Sequence, residues 1–390
     1  MRSLPQQVAV MYDVVIVGAG VMGSATAYWL SRAGKRVALL EQFSPAHVRA
    51  SSADESRTIR YQYRGQAAYT RMVAGAVQLW KEFDRQSGTG FYRETGTLTL
   101  QIKPNFEPLI DGYQGLCDLG YQPRWLDAGD VRREFPQFAN VDSGYIMEGV
   151  GGYIAAGPAT RALAEAAAEQ GADLFTGAEV VDLLQSGGRV TSAVTRFGRA
   201  FDGDVLVVTA GPWTARLLPE LPVPVQPTAA RLHYLKPEDP AAYEYPNLTP
   251  FSVMDTQFYG FPVHWRGCVK VADDMIGEPF DPDHDREHED PVALAKLRDF
   301  LARHLPGLRD AEVVYSKTCT YSMTPDSDFI IDRVPNLDNA LVAAGFSGHG
   351  FKFGILIGQI MADLATRGTT SWDLGRFRLS RETSAVSQHW

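Results

Sequence analysis

The chain has 390 residues, 45% of them hydrophobic and 21% charged, so it can bury a large core without disulfide staples, and disorder, collagen and coiled coil are excluded. Lys and Arg number 37 against 46 Asp and Glu, a net charge of −9, and this balance argues against a nucleic-acid or anionic-membrane partner, each of which needs a basic face. At about 150 residues per domain the length suits two or three domains.

The first eleven residues read as a leader, with Met11 as an alternative start; they hold one Arg and no apolar core, so no secretion signal is expected. Val14–Val17 is a short apolar run suited to a buried parallel strand. Gly18 ends it. Ala25, Ala27, Leu30 and Ala33 follow at helical spacing, and Gly34 suits the helix end. Arg36–Leu40 is a second strand-like run that stops at Glu41, which completes a βαβ unit. Residues 66–85 predict an amphipathic helix, Thr95–Gln101 a strand, and 157–170 a helix closed by Gly171. Asp204–Thr209 is another buried strand, followed by Ala-Gly-Pro-Trp. The stretch 226–275 is strand-rich and aromatic, 281–290 is a charged loop, and 291–304 is helical. Strands are expected near 312–321, 329–332 and 340–344, then a Gly-rich turn over 345–350 and a long helix over 351–366. Nucleotide-type segments at the start, middle and end imply two interleaved domains. No apolar stretch is long enough to span a bilayer.

Gly18-x-Gly20-x-x-Gly23 lies between the first strand and the first helix. The first Gly permits the turn, the second lets backbone approach a pyrophosphate, and the third lets helix pack on strand. The helix N-terminus favours the negative charge of the phosphates. Glu41, 18 residues past Gly23, is placed to accept from ribose hydroxyls. The motif alone does not separate NAD from FAD. Asp204–Trp213, a strand returning to this unit and ending in Thr-Ala-Gly, favours FAD, although by itself it also reads as a core strand and turn.

Two late segments carry the most specific signal: Cys319-Thr-Tyr321-Ser-Met-Thr-Pro-Asp-Ser-Asp-Phe-Ile-Ile-Asp332 and Ala343-Ala-Gly-Phe-Ser-Gly-His349-Gly-Phe-Lys352-Phe. With them, and with the tail Trp372–Arg381, the chain resembles the monomeric sarcosine oxidase and N-methyltryptophan oxidase family of amine-oxidising flavoproteins, from Tyr12 to Arg381. The resemblance implies an α/β (α+β) fold: a Rossmann-type FAD-binding domain (12–90, 151–218, 320–381) interleaved with a substrate domain (91–150, 219–319) on a mixed or antiparallel sheet with flanking helices. It implies an FAD-dependent oxidase of secondary amino acids, acting by hydride transfer from the carbon next to nitrogen to flavin N5. The imine then hydrolyses, and O2 is reduced to H2O2.

The resemblance also assigns residues. Cys319 stands where the family joins its flavin through sulfur; read alone, it is a thiol in a strand. Gly18, Gly20, Gly23, Glu41, Ser51, Arg57, Gly348 and Lys352 match cofactor contacts. Arg60 and Lys352 match a carboxylate clamp, in which Arg offers a fork of donors and Lys a point charge. Two cations in one pocket repel unless an anion lies between them, and Lys352 at a helix start opposes the dipole, which points to a ligand. Arg57 matches an Arg near the flavin ring; a solvated ion pair with Asp54 or Glu55 is the plainer alternative. Lys270 matches the lysine credited with oxygen activation, and otherwise reads as an ordinary strand lysine. Tyr259 and Tyr321 match residues of the substrate cavity, and His349 matches an active-site histidine.

Departures are visible. The family's Ser-His-His-Gly-Asp-Thr-Arg reads Ser51-Ser-Ala-Asp-Glu-Ser-Arg57 here, and Asp274 replaces a family histidine. Asp274 adds negative charge and suits a substrate with a cationic or hydroxyl-rich group. Rival substrates are a cyclic imino acid such as pipecolate and a glycated amino acid; rivals in kind are a non-catalytic flavin-binding protein and an NAD-linked dehydrogenase. Cys117, Cys268 and Cys319 form no CxxC pair, so a reducing cytoplasm is expected. The expected partners are a small amino acid and O2, with a monomeric chain. Gly345-Phe-Ser347-Gly lacks the last Gly of a nucleophile elbow, so acyl hydrolysis is not expected. His284 and His288 in the charged loop lack HExxH spacing, so no metal is expected.

Overall fold

The computed structural model describes residues 11–284 and 290–383. Residues 1–10 of the expected leader and His288 lie outside them, while Met11, read with the leader, begins the first strand. The chain divides into two compact units, each assembled from separated stretches. The first takes the described residues through Ala53, then Gly157–Gln226, then those from Ser322 onwards; the second takes Asp54–Ala156 and Pro227–Tyr321. Residues 54–90, read from sequence with the nucleotide domain, therefore fall in the second unit. The reason is local pairing: strand Arg57–Ile59 runs antiparallel to Gly152–Ile154, which also pairs with Tyr92–Glu94.

In the first unit, strand Met11–Val17 lies parallel to both Val37–Leu40 and Ala200–Val208. Asp173–Phe175 extends the sheet beside Val37–Leu40, and Ala340–Ala344 lies parallel to the end of Ala200–Val208. Val180–Ser186, Arg189–Thr195 and Ile330–Arg333 add antiparallel members. Ile16 and Leu39 are completely buried, as continuous apolar runs in a parallel sheet should be. The first helix, Val21–Arg32, is the crossover between the first two strands, and Gly354–Arg367 closes at Gly368 in the left-handed conformation.

In the second unit the strand order is Glu312–Met323, Gln226–Lys236, Cys268–Asp273, Phe258–Trp265, Phe251–Val253, Thr97–Gln101, Ser143–Met147 and Arg124–Asp127. The sheet is largely antiparallel, with Phe251–Val253 parallel to Thr97–Gln101. Helix Pro291–His304 begins at the predicted residue, where Asp290 caps the backbone N–H groups of Val292 and Ala293. Its apolar face joins the core of the unit, with Phe300 stacked 4.1 Å from Phe258. The architecture is mixed α/β with interleaved units, as expected. No helix among the described residues is long and apolar enough to cross a membrane.

Candidate active site

The residues singled out from sequence divide between the units. Gly18, Gly20, Gly23, Glu41, Ser51, Gly348, His349 and Lys352 belong to the first; Arg57, Arg60, Tyr259, Lys270, Asp274, Cys319 and Tyr321 belong to the second.

Bare backbone builds the nucleotide-type end of the first unit. Gly18 has φ +97°, and a Cβ there would stand 2.6 Å from the Thr209 carbonyl oxygen. A Cβ on Gly23 would stand 1.9 Å from the Gly18 carbonyl oxygen. Thr209, at the Thr-Ala-Gly turn, fixes this approach: its hydroxyl lies 3.0 Å from the carbonyl oxygens of both Val17 and Gly18. Gly20 caps helix Val21–Arg32 with no side-chain bond, and the first turn holds no acidic residue. The positive end of the helix thus carries no anion of its own, which suits a phosphate. Ser52 Oγ lies 3.4 Å from the Val21 N–H, and Ser51 precedes it in the same half-buried loop. Glu41 is buried and accepts the N–H groups of Ala19 at 2.8 Å and Phe43 at 2.9 Å. Burial pushes its carboxyl above the ordinary range, and those N–H groups partly offset the push. Glycines placed where a Cβ would clash, a helix end with no acidic residue in its first turn and a buried carboxylate fit the pyrophosphate and ribose of a dinucleotide.

The Gly-rich turn of the same unit holds Ser347 at φ +45° and Gly348 at φ +82°. His349 is buried; its Nε2 lies 3.2 Å from the Ser327 carbonyl oxygen and its ring 4.6 Å from that of Phe329. Lys352 is buried too, on the one-turn helix Phe351–Phe353, and donates to the His349 carbonyl at 2.8 Å. The Phe353 ring lies 5.2 Å from the same ammonium.

Buried charge builds the second unit's cluster. Its centre is Asp54, whose side chain is only 2% exposed. Lys270, 0% exposed on strand Cys268–Asp273, forms an ion pair with Asp54 and donates to the Ser56 carbonyl at 3.0 Å. Arg57 Nη1 reaches Asp54 Oδ2 at 2.5 Å, and the Tyr234 hydroxyl donates to Oδ1 at 2.8 Å. The other arm of Arg57 lies 3.6 Å from Cys319 Sγ, on strand Glu312–Met323. The plain alternatives for two residues fail here. Lys270 is no solvated strand lysine, and the Arg57–Asp54 pair exists but is buried rather than solvated. Burial opposes charge on Asp54, but Lys270 and Arg57 overcome it and hold the carboxyl well below its usual range.

Beside this cluster the Tyr321 hydroxyl donates to Asp274 Oδ1 at 2.8 Å. Burial first, and Asp274 second, push the phenols of Tyr259 and Tyr321 above their ordinary range, so both act as neutral groups. Arg60 donates to the Gln62 carbonyl and lays its guanidinium 4.6 Å above the Tyr63 ring. Burial pushes the Tyr63 phenol up, Arg60 pulls it down and Asp274 pushes it up, so Tyr63 feels both a cation and an anion.

Sequence reasoning missed Tyr63, Tyr234 and the central role of Asp54. Among the described residues no group of three or more His, Cys, Asp or Glu could hold a metal ion, and His284 pairs with Asp281 at 3.0 Å on the surface. Cys117, Cys268 and Cys319 are free thiols.

The family described as FAD dependent oxidoreductase matches residues 13–364 of the chain. Peroxisomal sarcosine oxidase of Homo sapiens is 34% identical over 394 aligned residues, covering 97% of this chain and 98% of that protein. Monomeric sarcosine oxidase of Arthrobacter sp. (strain TE1826) is 30% identical over 380 aligned residues, covering 95% and 96% respectively. Among solved structures, NikD, described as an unusual amino acid oxidase essential for nikkomycin biosynthesis, has a TM-score of 0.81 at 25% identity over 94% of this chain and 97% of its own.

Proposed function

This chain belongs to the family of FAD-dependent oxidoreductases, and on that premise we propose that it oxidises N-substituted amino acids at the carbon next to nitrogen, with O2 as acceptor and H2O2 as product. One observation carries the reading. Arg57 and Lys270, which the resemblance gives flavin roles, share the Asp54 carboxylate, and Arg57 also reaches Cys319, the residue matched to flavin attachment. The likeness to sarcosine oxidases over nearly the whole chain supports the substrate class.

FAD, when bound, supplies the redox chemistry, accepting the hydride from the substrate carbon and passing its electrons to O2. The chain's own residues do the rest. Gly18, Gly20 and Gly23, with the helix end behind them, would take the pyrophosphate, and Glu41 the ribose. Ser51 and Gly348 would add contacts. Arg60 and Lys352 would hold the substrate carboxylate, Arg through its fork of donors and Lys through its point charge. Tyr259 and Tyr321, as neutral phenols, disfavour a charged ammonium and so favour the amine that reacts. His349 would order the turn that carries Lys352. Asp274 pulls the other way at its edge of the site, and we expect it to receive a hydroxyl or cationic group on the substrate. A glycated amino acid offers hydroxyls for this, whereas pipecolate has no such group apart from the reacting nitrogen. Lys270 would stabilise the negative charge that builds on O2. The compartment we infer is a reducing cytoplasm, supported by the three free thiols, and the chain acts as a monomer.

The attachment at Cys319 has a direct test. Acid-precipitated protein should stay yellow, and Cys319→Ala should give a colourless pellet. A colourless wild-type pellet would retire the attachment.

A further inference from the structure

Lys270 carries its ammonium in a place with no exposure to water. The groups that bear on it come from several elements. Asp54 pairs with it, the Ser56 carbonyl accepts from it, and the Phe261 ring lies 4.6 Å away. Arg57, a second cation, shares Asp54, and Lys317 bears on the same carboxylate. The Cys319 thiol lies beside Arg57, and Tyr234 completes the shell of Asp54 through its hydroxyl. His264 faces Lys270 as well, but burial drives its ring down to about 4, so it is neutral. Burial pulls the Lys270 ammonium below its ordinary range, and Asp54 pulls it back up.

A buried ammonium beside a guanidinium, with no anion between them, sheds its proton. Here Lys270 and Arg57 bring two positive charges and Asp54 brings one negative. We propose that Asp54 is a positioning residue, the built-in counter-ion that keeps Lys270 protonated in a site sealed from water. The consequence for the reaction rests on Lys270 being the cation offered to O2. The holding of the charge does not.

Thermal unfolding of the protein as purified, between pH 6 and 10, tests this for wild type, Asp54→Asn and the double variant Asp54→Asn/Lys270→Met. At pH 7 Asp54→Asn should lower Tm by roughly 4–6 °C, because it leaves a buried cation unpaired. The sign of the pH effect follows from linkage. A lysine whose folded pKa is depressed costs stability most at low pH, and the cost fades as pH rises toward the unfolded value of about 10.4. The gap between Asp54→Asn and wild type should therefore close by more than half between pH 7 and 10. The double variant, which has no lysine to discharge, should recover part of the loss at pH 7, with a gap to wild type that does not close as pH rises. An Asp54→Asn gap that is the same at every pH overturns the proposal, as does a double variant no more stable than Asp54→Asn at pH 7. Should Asp54→Asn fail to fold, a folded double variant supports the proposal and an unfolded one overturns it. A Lys270→Met enzyme that reoxidises normally would refute the oxygen role and leave these gaps unchanged.

Discussion

Gly18, Gly20 and Gly23 in the first unit act through what they lack, while Asp54, Arg57 and Lys270 in the second act through what they carry. The glycine turn needs its backbone close to Thr209 and to itself, and its tolerance is a matter of sterics. The charge cluster needs a dry site and a balance of signs, and its tolerance is a matter of protonation. The first kind of site should fail abruptly and without regard to pH. The second should keep its shape when one member is altered and change its chemistry instead.

The strongest way to break that contrast is at Gly23. Gly23→Ala would drive a methyl to within 1.9 Å of the Gly18 carbonyl oxygen. We expect a flavin-to-protein ratio near zero and a stability loss of roughly 3 kcal/mol, similar at pH 6 and pH 9. A soluble variant with full flavin content would mean that the turn has slack the geometry denies. Lys270→Met sharpens the other half. It keeps most of the length of the side chain and removes its charge, so reoxidation by O2 should slow by roughly 100-fold while reduction by substrate is nearly unchanged. Stopped-flow measurement of the two half-reactions separates them, and equal slowing of both would count against the assigned role.

How much of this was legible beforehand follows the same division. The glycine motif, its flanking strands and Glu41 are local, all between Met11 and Glu41, and helix Pro291–His304 begins and ends as its pattern predicts. The charge cluster is not local. Asp54 lies 216 positions from Lys270, and nothing in either segment names the other. The sequence offered a solvated pair of Arg57 with Asp54 or Glu55 as the plainer alternative, because charged residues close together in a polar stretch are usually at the surface. Only the strand partners of Arg57–Ile59 explain its burial, and a three-residue strand is too short to show alternation. Tyr63 and Tyr234 were hidden for a related reason: an aromatic residue in an apolar run reads as core until its hydroxyl or ring is seen to meet a charge.

The central claim is that this flavoprotein takes electrons from secondary amino acids. Its most direct test is the visible spectrum of the purified protein mixed, without air, with N-methyl, cyclic and glycated amino acids in turn. We expect at least one N-substituted amino acid to bleach the flavin fully, and air to restore the colour with one equivalent of H2O2. A flavin that remains oxidised with every amine in the panel would contradict the claim.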